Sequence, residues 1–276
     1  MKNMQTTAMP AMLYGTAWKK EMTSPLVEQA LLQGFRGIDT ACQPKHYHEA
    51  GVGEGIQAAV QQGIARSTLY LQTKFTSLNG QDPQSVPYDP QAPLATQVQQ
   101  SIQVSLNNLH TDYLDCLLLH SPMPTVTETL QVWSVMEENV DKGDVLQLGI
   151  SNCYNPSLLE YIWTSVRIKP AVVQNRFYAA TQYDHLIRAF CTQHGLRYQS
   201  FWTLTANPDL LSHPLLARLS GAYQKSRAQV LFRYLTQIGV TPLTGTTSLR
   251  HMQEDLAVFS FSLSEQECAA LTALLS

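Results

Sequence analysis

The stretch Gly37-Ile38-Asp39-Thr40-Ala41-Cys42-Gln43-Pro44-Lys45-His46-Tyr47-His48-Glu49 decides how this chain is read. A short apolar strand over 37–40 delivers an aspartate at its end, a loop presents a tyrosine, and Glu49 opens a helix. Two later strands end in side chains suited to the same chemistry. Leu69-Tyr70-Leu71-Gln72-Thr73-Lys74 ends in a lysine, and Asp115-Cys116-Leu117-Leu118-Leu119-His120 ends in a histidine.

Outward from that stretch the strand–helix alternation repeats. Upstream, Ser24 is placed to cap a helix with Pro25 in its first turn, Leu26, Val27, Ala30 and Leu31 form its apolar stripe, and Gly34 closes it. Residues 8–17 read as a short N-terminal capping hairpin or an extended segment. Downstream, helices over 49–63, 94–109, 125–142, 156–166 and 183–194 alternate with strands over 69–74, 113–120, 145–151, 171–175 and 196–202. Helices over 212–221 and 225–238 precede a strand over 240–244, and helices over 248–257 and 264–275 end the chain. Runs such as 117–120 and 172–174 are apolar without alternation, as in a parallel sheet buried on both faces. Seven or eight such units predict an α/β protein with a (β/α)8 TIM barrel, one domain over residues 1–276. An open doubly wound sheet requires a glycine-rich turn after its first strand, and 42–48 contains no glycine. The long loops 75–93 and 202–214 follow strands, which in a barrel puts them on the functional face as pocket walls.

Composition narrows the function. The 276 residues carry a net charge of -3, which gives no electrostatic footprint for nucleic acid. The five cysteines are scattered without a CxxC pair, which suits a reducing compartment. No apolar run of membrane-spanning length and no secretory leader pattern is present, so a cytoplasmic protein without membrane partner is expected.

A barrel brings its strand ends to one mouth, so Asp39, Lys74 and His120 should converge with Tyr47. A free phenol titrates near pH 10 and donates its proton poorly at neutrality. An ammonium beside it should lower that value, an aspartate should hold the ammonium, and a histidine should orient a carbonyl oxygen. Singly, such an aspartate caps a helix, such a lysine is solvated, and such a histidine belongs to a core. Together they describe a proton donor for an oxygen that becomes an alkoxide.

The chain resembles the aldo-keto reductase family over nearly its whole length. The resemblance is carried by 34–41, by Thr73-Lys74, by Leu118-Leu119-His120-Ser121-Pro122, and by Tyr47 with Glu49 and Gly53. It departs at the tyrosine: the family places it five residues after the aspartate, where this chain has Pro44, and Tyr47 is three residues further on. The resemblance implies catalytic Asp39, Tyr47, Lys74 and His120, and reduction of aldehyde or ketone carbonyls with a nicotinamide cofactor. It further implies that Ser151, Asn152 and Gln174 grip the carboxamide, Phe201 stacks on the nicotinamide, and Thr203, Leu204 and Thr205 wrap the pyrophosphate. At the adenosine end Gly245, Thr246, Thr247, Arg250, His251, Glu254 and Asp255 fall at cofactor-binding positions, but the family's lysine there is missing. NADPH (NADP+) is expected over NADH. Trp18, Phe75 and Trp202 are expected to line the substrate pocket, the partner being a small carbonyl compound and the enzyme a monomer or weak homo-oligomer. Many relatives continue past the last helix into a loop over the substrate, and the stop at Ser276 predicts a more open pocket. Three other readings compete. Lys74 could form a Schiff base, the His46-Tyr47-His48 pair could bind zinc in a hydrolase, or the chain could bind the nucleotide as a sensor without turnover.

Overall fold

The computed structural model describes residues 8–275. Eight parallel strands close into a barrel in sequence order: β1 (Leu13–Gly15), β2 (Gly37–Asp39), β3 (Tyr70–Phe75), β4 (Cys116–Leu119), β5 (Leu148–Ser151), β6 (Val172–Arg176), β7 (Arg197–Phe201) and β8 (Val240–Thr244), with β8 pairing back to β1. Outside them lie α1 (Thr23–Gln33), α2 (Glu49–Gln61), α3 (Leu94–Asn108), α4 (Val126–Lys142), α5 (Pro156–Ser165) and α6 (His185–His194). After β7 come α7 (Pro208–Ser212), α8 (Pro214–Tyr223) and α9 (Arg227–Gln237), and after β8 come α10 (Leu249–Leu256) and α11 (Glu265–Thr272). Among the described residues no helix is long and apolar enough to cross a membrane.

The (β/α)8 expectation holds, with corrections at the edges. Of the two readings for 8–17, the extended one applies, and it goes further: Leu13–Gly15 is itself a barrel strand, hydrogen-bonded to β2 and β8. Ser24 does not cap α1. The helix begins at Thr23, after a 3-10 turn at Lys20–Met22, and Met22 occupies the capping position without a side-chain bond. Thr23 donates its hydroxyl to the Lys20 carbonyl instead, so the turn runs into the helix without a break. Gly34 does close α1, at φ 118, a left-handed conformation that a side chain would strain. The helix expected over 212–221 is α8, opened by Pro214, and the loop expected over 202–214 holds a further short helix, α7, opened by Pro208.

Strand alternation divides the side chains into two sets. The outward set (Ile38, Leu71, Phe75, Leu117, Leu119, Ile150 and Val173) joins the main core under the helices. The inward set forms layers. Leu13, Tyr70, Cys116, Leu118 and Val172 make a separate apolar plug, drawn mostly from strand beginnings. Above it Gln72, Gln174 and Gln199 form a polar layer around Asp39. The next inward positions are Lys74 and His120, at the mouth.

Candidate active site

Asp39 ends β2, and its carboxylate is the hub of the barrel interior. Its Oδ1 accepts from Lys74 Nζ at 2.8 Å, from Gln72 Nε2 at 2.6 Å and from Gln174 Nε2 at 2.8 Å. Its Oδ2 accepts from Lys74 Nζ at 2.7 Å. A carboxylate only accepts, so both glutamines must present their nitrogen to it. Gln199 holds them from the other side, its Oε1 accepting from Gln72 at 2.9 Å and from Gln174 at 2.8 Å.

Lys74 is 1% exposed, and its remaining donor goes to the Thr40 carbonyl at 2.8 Å. Burial pulls its ammonium below the usual lysine range, and Asp39 pulls it back up. With three acceptors around three protons the charged form is the one the site satisfies. A Schiff base would need this nitrogen uncommitted and within reach of the cavity, and it lines no part of the cavity wall.

Tyr47 stands above this pair, its ring centroid 5.3 Å from Lys74 Nζ and 6.1 Å, edge-on, from the His120 ring. The remodelled loop therefore does deliver the phenol to the mouth. Glu49 shows how. It is buried, accepting from Thr73 Oγ1, Ser105 Oγ and Asn108 Nδ2, which pins the start of α2 to β3 and α3 two residues after Tyr47. The expected acidification by Lys74 is not found. Burial pushes the Tyr47 phenol well up, and Asp39 pushes it further. The reason is geometric: Asp39 sits 2.7 Å from Lys74 and offsets the ammonium charge at the ring, and burial outweighs what remains.

His120 follows β4. Its Nδ1 lies 2.6 Å from Thr76 Oγ1, and burial followed by the Lys74 charge lowers it to about 3. The imidazole is thus neutral at physiological pH. Of the H-x-H pair, His46 bonds Gln43 Oε1 at 3.0 Å and stacks on Trp18 at 4.0 Å, while His48 packs against Gly51. No group of three metal-ligating residues forms among the described residues.

These residues open into a cavity of about 1380 Å³ that runs from β1 and β2 across the mouth to α10. Asp39, Tyr47, His120, Ser151, Asn152, Gln174, Phe201, Thr203, Leu204 and Thr205 line it, as do Gly245, Thr246, Thr247, His251, Glu254, Asp255, Trp18 and Trp202. The loop after β3 contributes only its beginning, through Thr76, Ser77, Asn79 and Gly80. Besides Lys74, two expected residues are not on the wall. Phe75 is fully buried against Tyr88, with ring centroids 5.8 Å apart, because period two turns it outward when Lys74 points in. Arg250 is exposed and pairs with Glu254 at 2.7 Å, one helical turn on.

Several of the expected grips are already engaged. Ser151 Oγ donates to the Gln174 carbonyl at 2.7 Å, and Asn152 Nδ2 to the His120 carbonyl at 2.8 Å. Thr244 Oγ1 donates to Asp255 Oδ2 at 2.6 Å, and burial raises Asp255 to about 6. Both rim tryptophans sit in the left-handed backbone region, Trp18 at φ 64 and Trp202 at φ 55. A bulky residue held there costs about 1–3 kcal/mol, and such strain gathers at functional sites.

Comparison with known proteins agrees with this geometry. Residues 11–212 match the family model described as the aldo/keto reductase family. This chain belongs to that family. It is 30% identical over 249 residues to YtbE, an oxidoreductase of Bacillus subtilis (strain 168) described as uncharacterized, covering 90% of this chain and 82% of the relative. It is 29% identical to an aldo-keto reductase of Mycobacterium sp. (strain KMS), covering 92% and 84%. The crystal structure of the Bombyx mori aldo-keto reductase AKR2E4 in complex with NADP superposes with a TM-score of 0.81 at 25% identity, covering 96% of this chain and 89% of that one. As a member of the aldo/keto reductase family the chain is an oxidoreductase for nicotinamide-nucleotide-dependent carbonyl reduction.

Sequence reading missed Thr76, Lys19 and, of the glutamine layer, Gln72 and Gln199. Period two from Lys74 finds Gln72 and Thr76 on the same inward face. Lys19 gave no such signal. It is 6% exposed, lines the cavity, donates to the Gly245 carbonyl at 2.7 Å and is lowered to about 8 by burial.

Proposed function

We propose that this chain reduces an aldehyde or ketone to an alcohol with NADPH, Tyr47 being the proton donor. One observation carries the assignment. Asp39, Tyr47, Lys74 and His120 come from two strand ends and two loops, and meet at one barrel mouth. The remaining wall fits a dinucleotide. Gln174 Nε2 is committed to Asp39 and Gln199, which leaves its carbonyl oxygen to take a carboxamide proton. Phe201 offers a ring face beside it, and the cavity continues past Thr203–Thr205 to Thr246 and α10, too long for a small carbonyl compound alone. Ser151, Asn152 and Gln174 would hold the nicotinamide end, Thr246, Thr247 and His251 the adenosine end, with Glu254 and Asp255 beside the adenine. Lys19 reaches the Gly245 backbone from the β1 side. It supplies the cation that the β8–α10 loop lacks, which supports a phosphate-rich cofactor.

When bound, the cofactor supplies hydride to the carbonyl carbon. The chain supplies the rest. We assign the 2.6 Å contact between Thr76 Oγ1 and His120 Nδ1 to a hydroxyl that donates, which places the ring proton on Nε2, where it holds the carbonyl oxygen. Burial and Asp39 keep Tyr47 protonated throughout the neutral range, so the donor is loaded before substrate arrives. The proton still moves downhill, because an alkoxide is a much stronger base than a phenolate. Lys74 Nζ, 5.3 Å from the ring centroid, is held in place below the phenolate by Asp39, which the glutamine layer fixes in turn. Trp18 and Trp202 line the cavity at its rim.

The test is Tyr47→Phe with NADPH and a panel of aldehydes, followed at the dihydronicotinamide absorbance. Turnover should fall by about 10²-fold or more while NADPH still quenches tryptophan fluorescence with wild-type affinity. Turnover near the wild-type rate would remove Tyr47 from this role.

A further inference from the structure

Arg176 closes β6 on the cavity wall, two residues after Gln174 and in register with Phe201. Its guanidinium carbon lies 4.4 Å from the Tyr178 ring centroid and 4.7 Å from that of Trp202. Its Nε is buried with no hydrogen-bond partner, and no carboxylate among the described residues pairs with the group. A guanidinium has five donors in a planar fork, shaped for two oxygens of one anion. Here two aromatic rings hold the fork in place and strip water from its faces. Trp202 is kept over it by a strained backbone, φ 55. Such a group is built to receive an anion that the protein does not itself provide.

The Arg176 backbone is tied to the reacting centre by a chain of bonds. Tyr154 Oη accepts from the Arg176 backbone N–H at 3.1 Å and donates to Asn152 Oδ1 at 3.2 Å, and Asn152 Nδ2 donates to the His120 carbonyl at 2.8 Å. Arg176 lines the same cavity as Tyr47 and His120, so a molecule carrying a carbonyl at one end and an anion at the other can be read at both ends. Of the wall assigned above to the cofactor's phosphates, Lys19 and Thr246 lie against β8, two strands along the barrel from β6, whereas Thr203–Thr205 follow β7, directly after Trp202, so NADPH affinity is the readout that separates a substrate anion from the cofactor's own. We propose that Arg176 binds an anionic oxygen group, carboxylate or phosphate, carried by the carbonyl substrate, which makes oxo acids or phosphorylated carbonyl compounds the favoured class. This rests on the reading of the site as a carbonyl reductase.

The experiment uses the full chain with NADPH and two matched pairs: 4-formylbenzoate against its methyl ester, and glyceraldehyde 3-phosphate against glyceraldehyde. The wild type should favour the anionic member of at least one pair by about tenfold or more in kcat/KM, chiefly through KM, and the responding pair tells carboxylate from phosphate. Arg176→Met should bring that ratio near unity, and Arg176→Lys should restore part of it. A second arm needs no turnover. Benzoate and benzamide are titrated into the NADPH-saturated protein and read by tryptophan fluorescence, to which Trp202 contributes. Benzoate should bind the wild type about tenfold more tightly than Arg176→Met, with benzamide showing no such difference. Equal handling of acid and neutral partners by the wild type would overturn the proposal. So would a loss in Arg176→Met shared by both members of a pair and matched by weaker NADPH binding, which would give the anion to the cofactor. Absence of turnover with every substrate, while benzoate binding still depends on Arg176, would instead strike the carbonyl-reductase reading and leave the anion site standing.

Discussion

At the scale of single residues, the chemistry turns on which groups stay uncharged. His120 is lowered to about 3, so across the working range of pH it is a neutral imidazole whose usefulness depends on which nitrogen bears the proton. In the mechanism proposed above Thr76, a residue 4% exposed, sets it by donating its hydroxyl across the 2.6 Å contact to Nδ1. Thr76→Val keeps the shape and removes the hydroxyl, so Nδ1 can take the proton and leave Nε2 as an acceptor facing the carbonyl oxygen. We expect kcat/KM to fall about 10-fold to 100-fold, with NADPH affinity unaltered and thermal stability within a few degrees of wild type. Steady-state kinetics with one aldehyde decide it, and a value within twofold of wild type would leave His120 oriented by something else. Tyr47 teaches a related lesson. From the sequence, a neighbouring lysine reads as a field that acidifies the phenol. The structure shows that field cancelled by Asp39 and outweighed by burial. Residue types gave the cast, but the sign of a pKa shift depends on distances no spacing rule contains.

At the scale of elements, the loop carrying Tyr47 works because its far end is nailed down. Glu49 begins α2 with its carboxylate buried among Thr73, Ser105 and Asn108, and α3 approaches so closely that a Cβ on Gly53 would come within 2.0 Å of the Asn108 carbonyl. Glu49→Ala would strand two buried donors, Thr73 and Ser105, at about 1–3 kcal/mol each, release the half-buried Asn108 amide and free the loop end. We expect a fall in Tm of several degrees together with a fall in kcat for Glu49→Ala, and substantial recovery of both in Glu49→Gln, which keeps an acceptor. Calorimetry alongside aldehyde reduction checks this, and a loss of stability without loss of kcat would show that the loop holds Tyr47 unaided. The elements themselves were legible in the sequence because glycines such as Gly34 and Gly143 end helices and apolar runs mark buried strands. What was not legible were the two faces of those strands. In β3 every residue is buried, so burial alone does not tell Lys74 from Phe75, and Phe75 was misplaced onto the pocket wall. Nor did spacing reveal Lys19, which meets Gly245 across the β1–β8 seam of the closed barrel.

At the scale of the whole molecule, the barrel keeps ionisable groups dry at both ends of the cavity, and they respond to acid in opposite directions. His120, at the mouth, is lowered from 6.5 to about 3. Between those values the unfolded chain binds a proton that the native site refuses, so its contribution to stability is present above pH 6.5 and is lost as pH falls toward 3. Asp255, packed on Thr244 beside α10, is raised from 3.8 to about 6. Over that window the native state holds the extra proton, so its contribution is present below pH 3.8 and is lost as pH rises through 6. Each sign can be isolated by difference. The stability advantage of wild type over His120→Asn should shrink as pH is lowered from 6.5 toward 4. The advantage of wild type over Asp255→Asn should grow over the same descent, since the neutral amide keeps the Thr244 bond without ever bearing charge. Contributions from sites with no shared partners add, so the double variant should show the sum of the two slopes. Urea unfolding of the four proteins at intervals between pH 4 and 7 measures all of this. If both single variants tracked wild type in parallel, neither group would be buried as the structure places it. If they deviated in the same direction, one of the two assigned shifts would have the wrong sign.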